Sequence, residues 1–384
     1  MHVTVVGKDF EKRCTKKEKW YSTKYMITSI PEESVKKWEG AQKCKNLHLP
    51  QVNKFIPKTF DLVPIMDSHI SHHLVIRDTP LTRLFFQQDD EFLLPKVYLK
   101  MKFFNPLAYS DPKHMNLAAL LERTFEDIFD EFSYSASLAD LFYEIDSIRD
   151  SIVVQVQGFS DKLSEFVLHL LQQLVTLRVK KSRFAVLKER LRQYLLNQKE
   201  GGLQRLAQRS TDRVLWERSW SLDERLAHLH DLKDEDLQEF VGQFFSRTFV
   251  DMLFLGNMRQ SEALELSDKI EAYLKEAGKS VPLSKAQRVP GRIVELAKGT
   301  NAVYRTSTNL HESSCVNAHF QCGMCGTRDR AILELLSHIL MEPCCDVLRT
   351  KEQLGLFVKI STERRCGVSG KWNKHTECFL VEHS

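Results

Sequence analysis

The sequence has no uninterrupted apolar run approaching the roughly 18 residues a membrane-crossing helix needs, so no membrane partner is expected. Charge of one sign is also lacking. The 55 basic and 51 acidic residues leave a net charge of +4 over 384 residues, giving no electrostatic footprint for nucleic acid. The start, Met1-His2-Val3-Thr4-Val5-Val6-Gly7-Lys8-Asp9, has no basic region followed by a long apolar core and is not a secretory leader. Nine cysteines, an odd number with seven between Cys315 and Cys378, read as reduced thiols rather than a disulfide framework. A cytoplasmic compartment is expected.

What is present is globular material. With 42% hydrophobic and 28% charged residues the chain can bury sizeable cores, and its length fits two or three domains. Pro50, Pro57 and Pro64 punctuate an early stretch without helical periodicity, as in an extended segment laid over a surface. The polar stretch that follows reads as a linker.

From Val97 the pattern alternates. Val97, Leu99, Met101 and Phe103 face one way and Tyr98, Lys100 and Lys102 the other, which describes a half-buried strand. Asp111-Pro112 supplies an N-cap and first-turn proline for a helix with Leu117, Leu120, Leu121, Phe125 and Phe129 on one face. Ile152, Val154 and Val156 mark a second strand, which turns at Gly158 into a helix carrying Leu163, Phe166, Leu170 and Leu174. Further helices are expected at 183–197, behind the capping-box pair Ser221 and Glu224, at 234–246 and at 261–274, with a strand from Phe249 to Leu255. The sum is an α+β domain of roughly 200 residues. Beyond a linker over Lys275–Arg292, Val316, Ala318, Phe320 and Cys322 alternate as a strand. A helix from Ala331 to Met341 is expected to stop at Pro343, and Lys371–Ser384 shows no periodicity.

Four separated stretches resemble the insulysin branch of the pitrilysin family of zinc peptidases, specifically its carboxy-terminal half. They are Glu18-Lys19-Trp20-Tyr21-Ser22-Thr23-Lys24-Tyr25; Leu49-Pro50-Gln51-Val52-Asn53-Lys54-Phe55-Ile56-Pro57; Gln88-Asp89-Asp90-Glu91-Phe92-Leu93-Leu94-Pro95-Lys96; and Arg349-Thr350-Lys351-Glu352-Gln353-Leu354-Gly355. The resemblance implies tandem α/β-roll domains, each an antiparallel sheet with packed helices, truncated at both ends. It places the tail of a second domain at 1–64, a linker at 65–80, a third domain at 81–276, a linker at 277–292 and an incomplete fourth domain at 293–384. It also implies that this half walls a chamber in which a zinc-bearing amino-terminal half cleaves small peptides.

The family's zinc chemistry needs H-x-x-E-H on a helix, where two imidazoles hold the ion and the glutamate takes a proton from bound water. That motif is absent, so zinc belongs to the parent family and no metal ligand or catalytic residue is assigned to this chain. His69-Ile70-Ser71-His72-His73 comes nearest, with His in place of the general base, and reads as solvated linker histidines. Cys322-Gly323-Met324-Cys325 has C-x-x-C spacing but no second pair at a recognised distance, and reads as a loop. Arg349 is the one substrate-binding candidate. The resemblance points its guanidinium at a peptide carbonyl or carboxylate, while the structural alternative pairs it with Glu352 one helical turn on. The pattern departs at Leu356, where the family has Tyr, and at Cys345, where it has a large aromatic. Two other readings stand beside this one: a non-enzymatic peptide-binding or partner-pairing protein, and a gene-model fragment.

Overall fold

A computed structural model describes residues 2–41, 51–65, 72–288, 291–307, 314–354, 358–365 and 376–383. The chain divides into two compact units, Met1–Val52 and Asn53–Ser384. The first holds a two-stranded ribbon, β1 (Lys16–Lys17) against β2 (Lys24–Tyr25), and helix α1 (Glu32–Glu39). The Glu18 carboxylate shapes the ribbon's turn by accepting from the backbone N–H groups of Trp20 and Tyr21 at 2.6 Å each.

The second unit is built on one mixed sheet. Its strands are β3 (Leu74–Asp78), β4 (Thr82–Gln88), β5 (Lys96–Phe104), β6 (Phe142–Ile148), β7 (Ser151–Phe159), β8 (Arg247–Gly256) and β9 (Val281–Pro282). Their order is β3-β4-β8-β5-β7-β6, with β9 beside the start of β8. Register explains the core. Leu84 lies opposite Met252, Met252 opposite Met101, Met101 opposite Val154 and Val154 opposite Ile145, and all five are buried. Because side chains alternate with a period of two, one apolar row on each strand becomes a continuous layer on one face. The other face mixes polar and apolar side chains, and Arg83 there bonds Asp251 at 2.8 Å across the β4–β8 pair.

Helices α2 (Pro112–Ser137), α3 (Ser160–Val175), α4 (Lys181–Lys199), α5 (Leu203–Leu215), α6 (Leu222–His230), α7 (Asp234–Ser246) and α8 (Gln260–Glu276) complete this part. The Asp111 side chain caps α2 by accepting from the His114 N–H at 2.9 Å. The expected apolar face is buried at Leu117, Leu120, Leu121, Phe125 and Phe129. Ser221 and Glu224 form the expected capping box at the start of α6. Gly158 and Gly256 end β7 and β8 with positive φ. A Cβ on Gly256 would lie 2.3 Å from the Lys96 carbonyl oxygen, so a bare backbone is required there.

Several expectations need correction. The sheet is not antiparallel throughout, because β4 and β9 both join β8 in parallel. The linker read at 65–80 contains edge strand β3, whose irregular register between Val75 and Arg77 breaks the alternation that would have announced it. Residues Asn53–Pro64, grouped by sequence with the first 52, pack with the second unit instead. Phe55 is 2% exposed and meets Phe132 and Phe166 edge-on, with ring centres 5.2 and 5.6 Å apart. The linker read at 277–292 carries β9 and buries Leu283 against Phe104 and Phe249.

A smaller antiparallel sheet follows, ordered β10-β12-β11, from β10 (Val316–Met324), β11 (Val358–Arg365) and β12 (Thr376–His383). Its central strand is β12, in the stretch where the sequence showed no periodicity. Helix α9 (Thr327–Cys344) contains Pro343 rather than stopping before it, and continues into a π-helical turn over Cys345–Lys351.

Candidate functional site

The local chemistry around Arg349 begins with Pro343. A proline inside a helix has no N–H to give to the carbonyl four residues back, and its ring crowds that carbonyl. Here the chain keeps winding and then widens. The Glu352 N–H donates to the Val347 carbonyl at 2.8 Å, a five-residue spacing, and the Leu354 N–H donates to the Leu348 carbonyl at 2.9 Å. Gln353 takes φ +48 to close the end, a left-handed conformation more usual for glycine.

The wider turn rearranges which side chains meet. Lys351 Nζ pairs with Asp346 Oδ2 at 2.7 Å. These residues are five apart, a spacing that shares a face in a π-turn and diverges in an α-helix. The pairing of Arg349 with Glu352, which α-helical spacing predicts, does not form. Arg349 is exposed and has no ion-pair partner among the described residues. A guanidinium in that state presents its five donors to whatever approaches. Cys345 is half-buried, and its thiol donates to the Val358 carbonyl at 3.8 Å, tying the turn to β11. Leu356 lies outside the described residues.

The other sequence candidates do not converge on this turn. His72 and His73 are exposed, while His69 to Ser71 fall outside the described residues. Cys322 and Cys325 lie at the end of β10 and in the turn after it, where the Cys325 thiol approaches the Cys322 carbonyl at 3.9 Å. Among the described residues, no three His, Cys, Asp or Glu side chains are grouped to hold a metal ion. The sequence has no H-x-x-E-H motif, and no chemical step through a metal is assigned to this chain. Asp140 sits at φ +59 in the turn between α2 and β6, a left-handed position that Asp tolerates, and its carboxylate pairs with Lys96 at 2.5 Å. Of the clustered basic residues Arg178, Lys180, Lys181 and Arg183, the last is spent on structure, since it pairs with Asp127. That partner holds the Asp127 carboxyl below its ordinary range.

Comparison with known proteins gives this geometry a family. Residues 1–228 match the family description "Middle or third domain of peptidase_M16", and residues 231–365 match "Peptidase M16 inactive domain". The chain belongs to the peptidase M16 family. It is 32% identical to insulin-degrading enzyme of Homo sapiens over 370 residues, covering 96% of this chain and 36% of that protein. With insulin-degrading enzyme-like 2 of Arabidopsis thaliana it is 31% identical, covering 94% of this chain and 38% of the relative. The crystal structure of pitrilysin superposes with a TM-score of 0.75 at 19% identity, covering 96% of this chain and 38% of that one, which shows the shared fold. The chain thus spans a little over a third of these M16 relatives. The π-turn is what sequence reasoning missed. Its only signal was a proline followed by residues that still favour helix, a pattern that also fits an ordinary stop.

Proposed function

We propose that this chain is the zinc-free half of an insulysin-like M16 metalloendopeptidase, walling the chamber in which a zinc-bearing amino-terminal half cleaves small peptides. The observation that carries the reading is Arg349, exposed and without an ion-pair partner among the described residues, on a π-turn in the stretch that resembles the insulysin pattern. An Arg already engaged by Glu352 would have to break that pair before meeting substrate. One left free beside the Asp346–Lys351 pair is ready to donate to a peptide carbonyl or carboxylate oxygen. In this reading residues 81–276 form the third roll and 293–384 part of a fourth.

The relatives match the chain over only about a third of their length, and a zinc-bearing amino-terminal half is the partner this reading requires. The chain by itself is expected to show no chelator-sensitive peptide hydrolysis. Mixed with the amino-terminal half of an M16 relative, it should co-purify and restore cleavage, and Arg349→Ala should weaken peptide binding to the mixture roughly tenfold. Cleavage by the chain alone, or no effect of Arg349→Ala on peptide affinity, would overturn the proposal.

A further inference from the structure

Far from Arg349 in sequence, the seven-stranded part carries a buried guanidinium that forms no direct ion pair with a carboxylate among the described residues. Arg225 lies in the first turn of α6 and is 8% exposed. A neutral side chain holds it on two sides. Asn116 Oδ1 accepts from Arg225 Nε at 3.0 Å, and Asn116 Nδ2 donates to the Arg225 carbonyl at 2.7 Å. Asn116 is itself fully buried, so the guanidinium plane is fixed. No ion pair engages the two terminal nitrogens among the described residues. Burial, with Arg123 adding like charge against smaller opposing effects of Tyr109, Tyr194 and Glu122, lowers the Arg225 pKa to about 10. A buried charge without a partner is costly unless something supplies the opposite charge.

Arg225 lines a cleft of about 500 Å³ between the end of α4, one face of α5, the start of α6 and residues 304–307. The cleft has three more cationic than anionic side chains along its walls. Of its two carboxylates, Asp223 is taken by Lys199 at 2.6 Å. Arg209 and Arg213 lie one turn apart on α5. Arg209 gives one N–H to the Gln198 carbonyl, and neither has a carboxylate partner among the described residues. Tyr109, Tyr194 and Trp220 supply flat walls. Ser221, which caps α6, also lines the cleft.

We infer that this cleft binds a small oxyanion, gripped by the Arg225 fork at its base and by Arg209 and Arg213 at its wall. The ligand chemistry is two or more acceptor oxygens set to meet a planar guanidinium, which a phosphate or a carboxylate supplies. The site contains none of the residues assigned to peptide recognition, so it stands or falls independently of the peptidase reading.

The test is calorimetric titration of the full chain with inorganic phosphate and, separately, with succinate, at constant chloride. Saturable binding of either anion is expected. Phosphate alone would identify a tetrahedral anion and succinate alone a carboxylate, and each supports the site. Arg213→Gln and Arg209→Gln, both on the cleft wall and away from the Asn116 lock, should each weaken binding roughly tenfold. Arg225→Lys keeps the charge but loses the fork, and should weaken binding further while its circular dichroism matches the parent. Neither anion binding above the chloride background, or unchanged affinity in both wall variants, would overturn the inference.

Discussion

The seven-stranded part and the three-stranded part use the same elements and differ in how well they close. In the larger, α3 buries Leu163, Phe166, Val167, Leu170, Leu171 and Leu174, so its apolar stripe is spent entirely on the core. In the smaller, Ile332, Leu335, Leu336 and Ile339 recur on α9 at the spacing of a single stripe, yet stand 53, 61, 41 and 59% exposed. Ser337 is the only buried residue of α9 among those described. An apolar stripe on each helix therefore meets unequal burial. A stripe becomes core only when another layer covers it, and the sheet beside α9 covers the opposite side.

That contrast yields a graded set of expectations. Phe166→Ala should cost about 3–5 kcal/mol in urea unfolding, because a fully buried ring surrounded by Phe55, Phe129 and Phe132 leaves a cavity. Leu335→Ser should shift the same transition by no more than about 0.5 kcal/mol, since little apolar area returns to water. Comparable losses from both would break the comparison. Next in size is Gly256→Ala, expected to cost about 1–3 kcal/mol because φ +130 and the Lys96 carbonyl leave no place for a methyl group. A neutral result there would mean that the end of β8 is freer to shift than its register implies.

Smallest is a pH effect confined to the larger part. Burial raises the Glu122 carboxyl above its ordinary 4.5, against the Ser147 N–H that it accepts at 2.7 Å. The folded state therefore binds this proton more tightly than the unfolded chain. The resulting stability is present below pH 4.5 and is lost as pH rises from there through the raised folded value. Glu122→Gln, which keeps an acceptor for Ser147, should flatten the fall in stability above pH 4.5. An unchanged slope would remove Glu122 as its source.

Much of the larger part was legible in the residues. The strand at Val97–Phe103, the Asp111 cap, the Ser221–Glu224 box and the faces of α2, α3 and α7 follow from local rules, and these elements form where the rules put them. Strand β3, the parallel joining of β4 to β8 and the burial of Phe55 were not legible. Each depends on a partner outside its own segment, such as Phe86 across from Leu74 in β3 or, far along the chain, Phe166 for Phe55. Around the candidate site, residue types were readable and their pairings were not. Arg349 followed from its motif, whereas its freedom from Glu352 depends on a π-turn that α-helical spacing does not foresee.

The sequence by itself determined which segments wind or extend, which face of each is apolar, and which family the chain joins, because these depend on periodicity and local capping. Only the tertiary structure decided which apolar stripes become core, that Arg349 does not pair with Glu352, and that Arg225 is buried against an asparagine rather than in an ion pair. Those outcomes are set by what packs across from each residue, which local sequence does not encode.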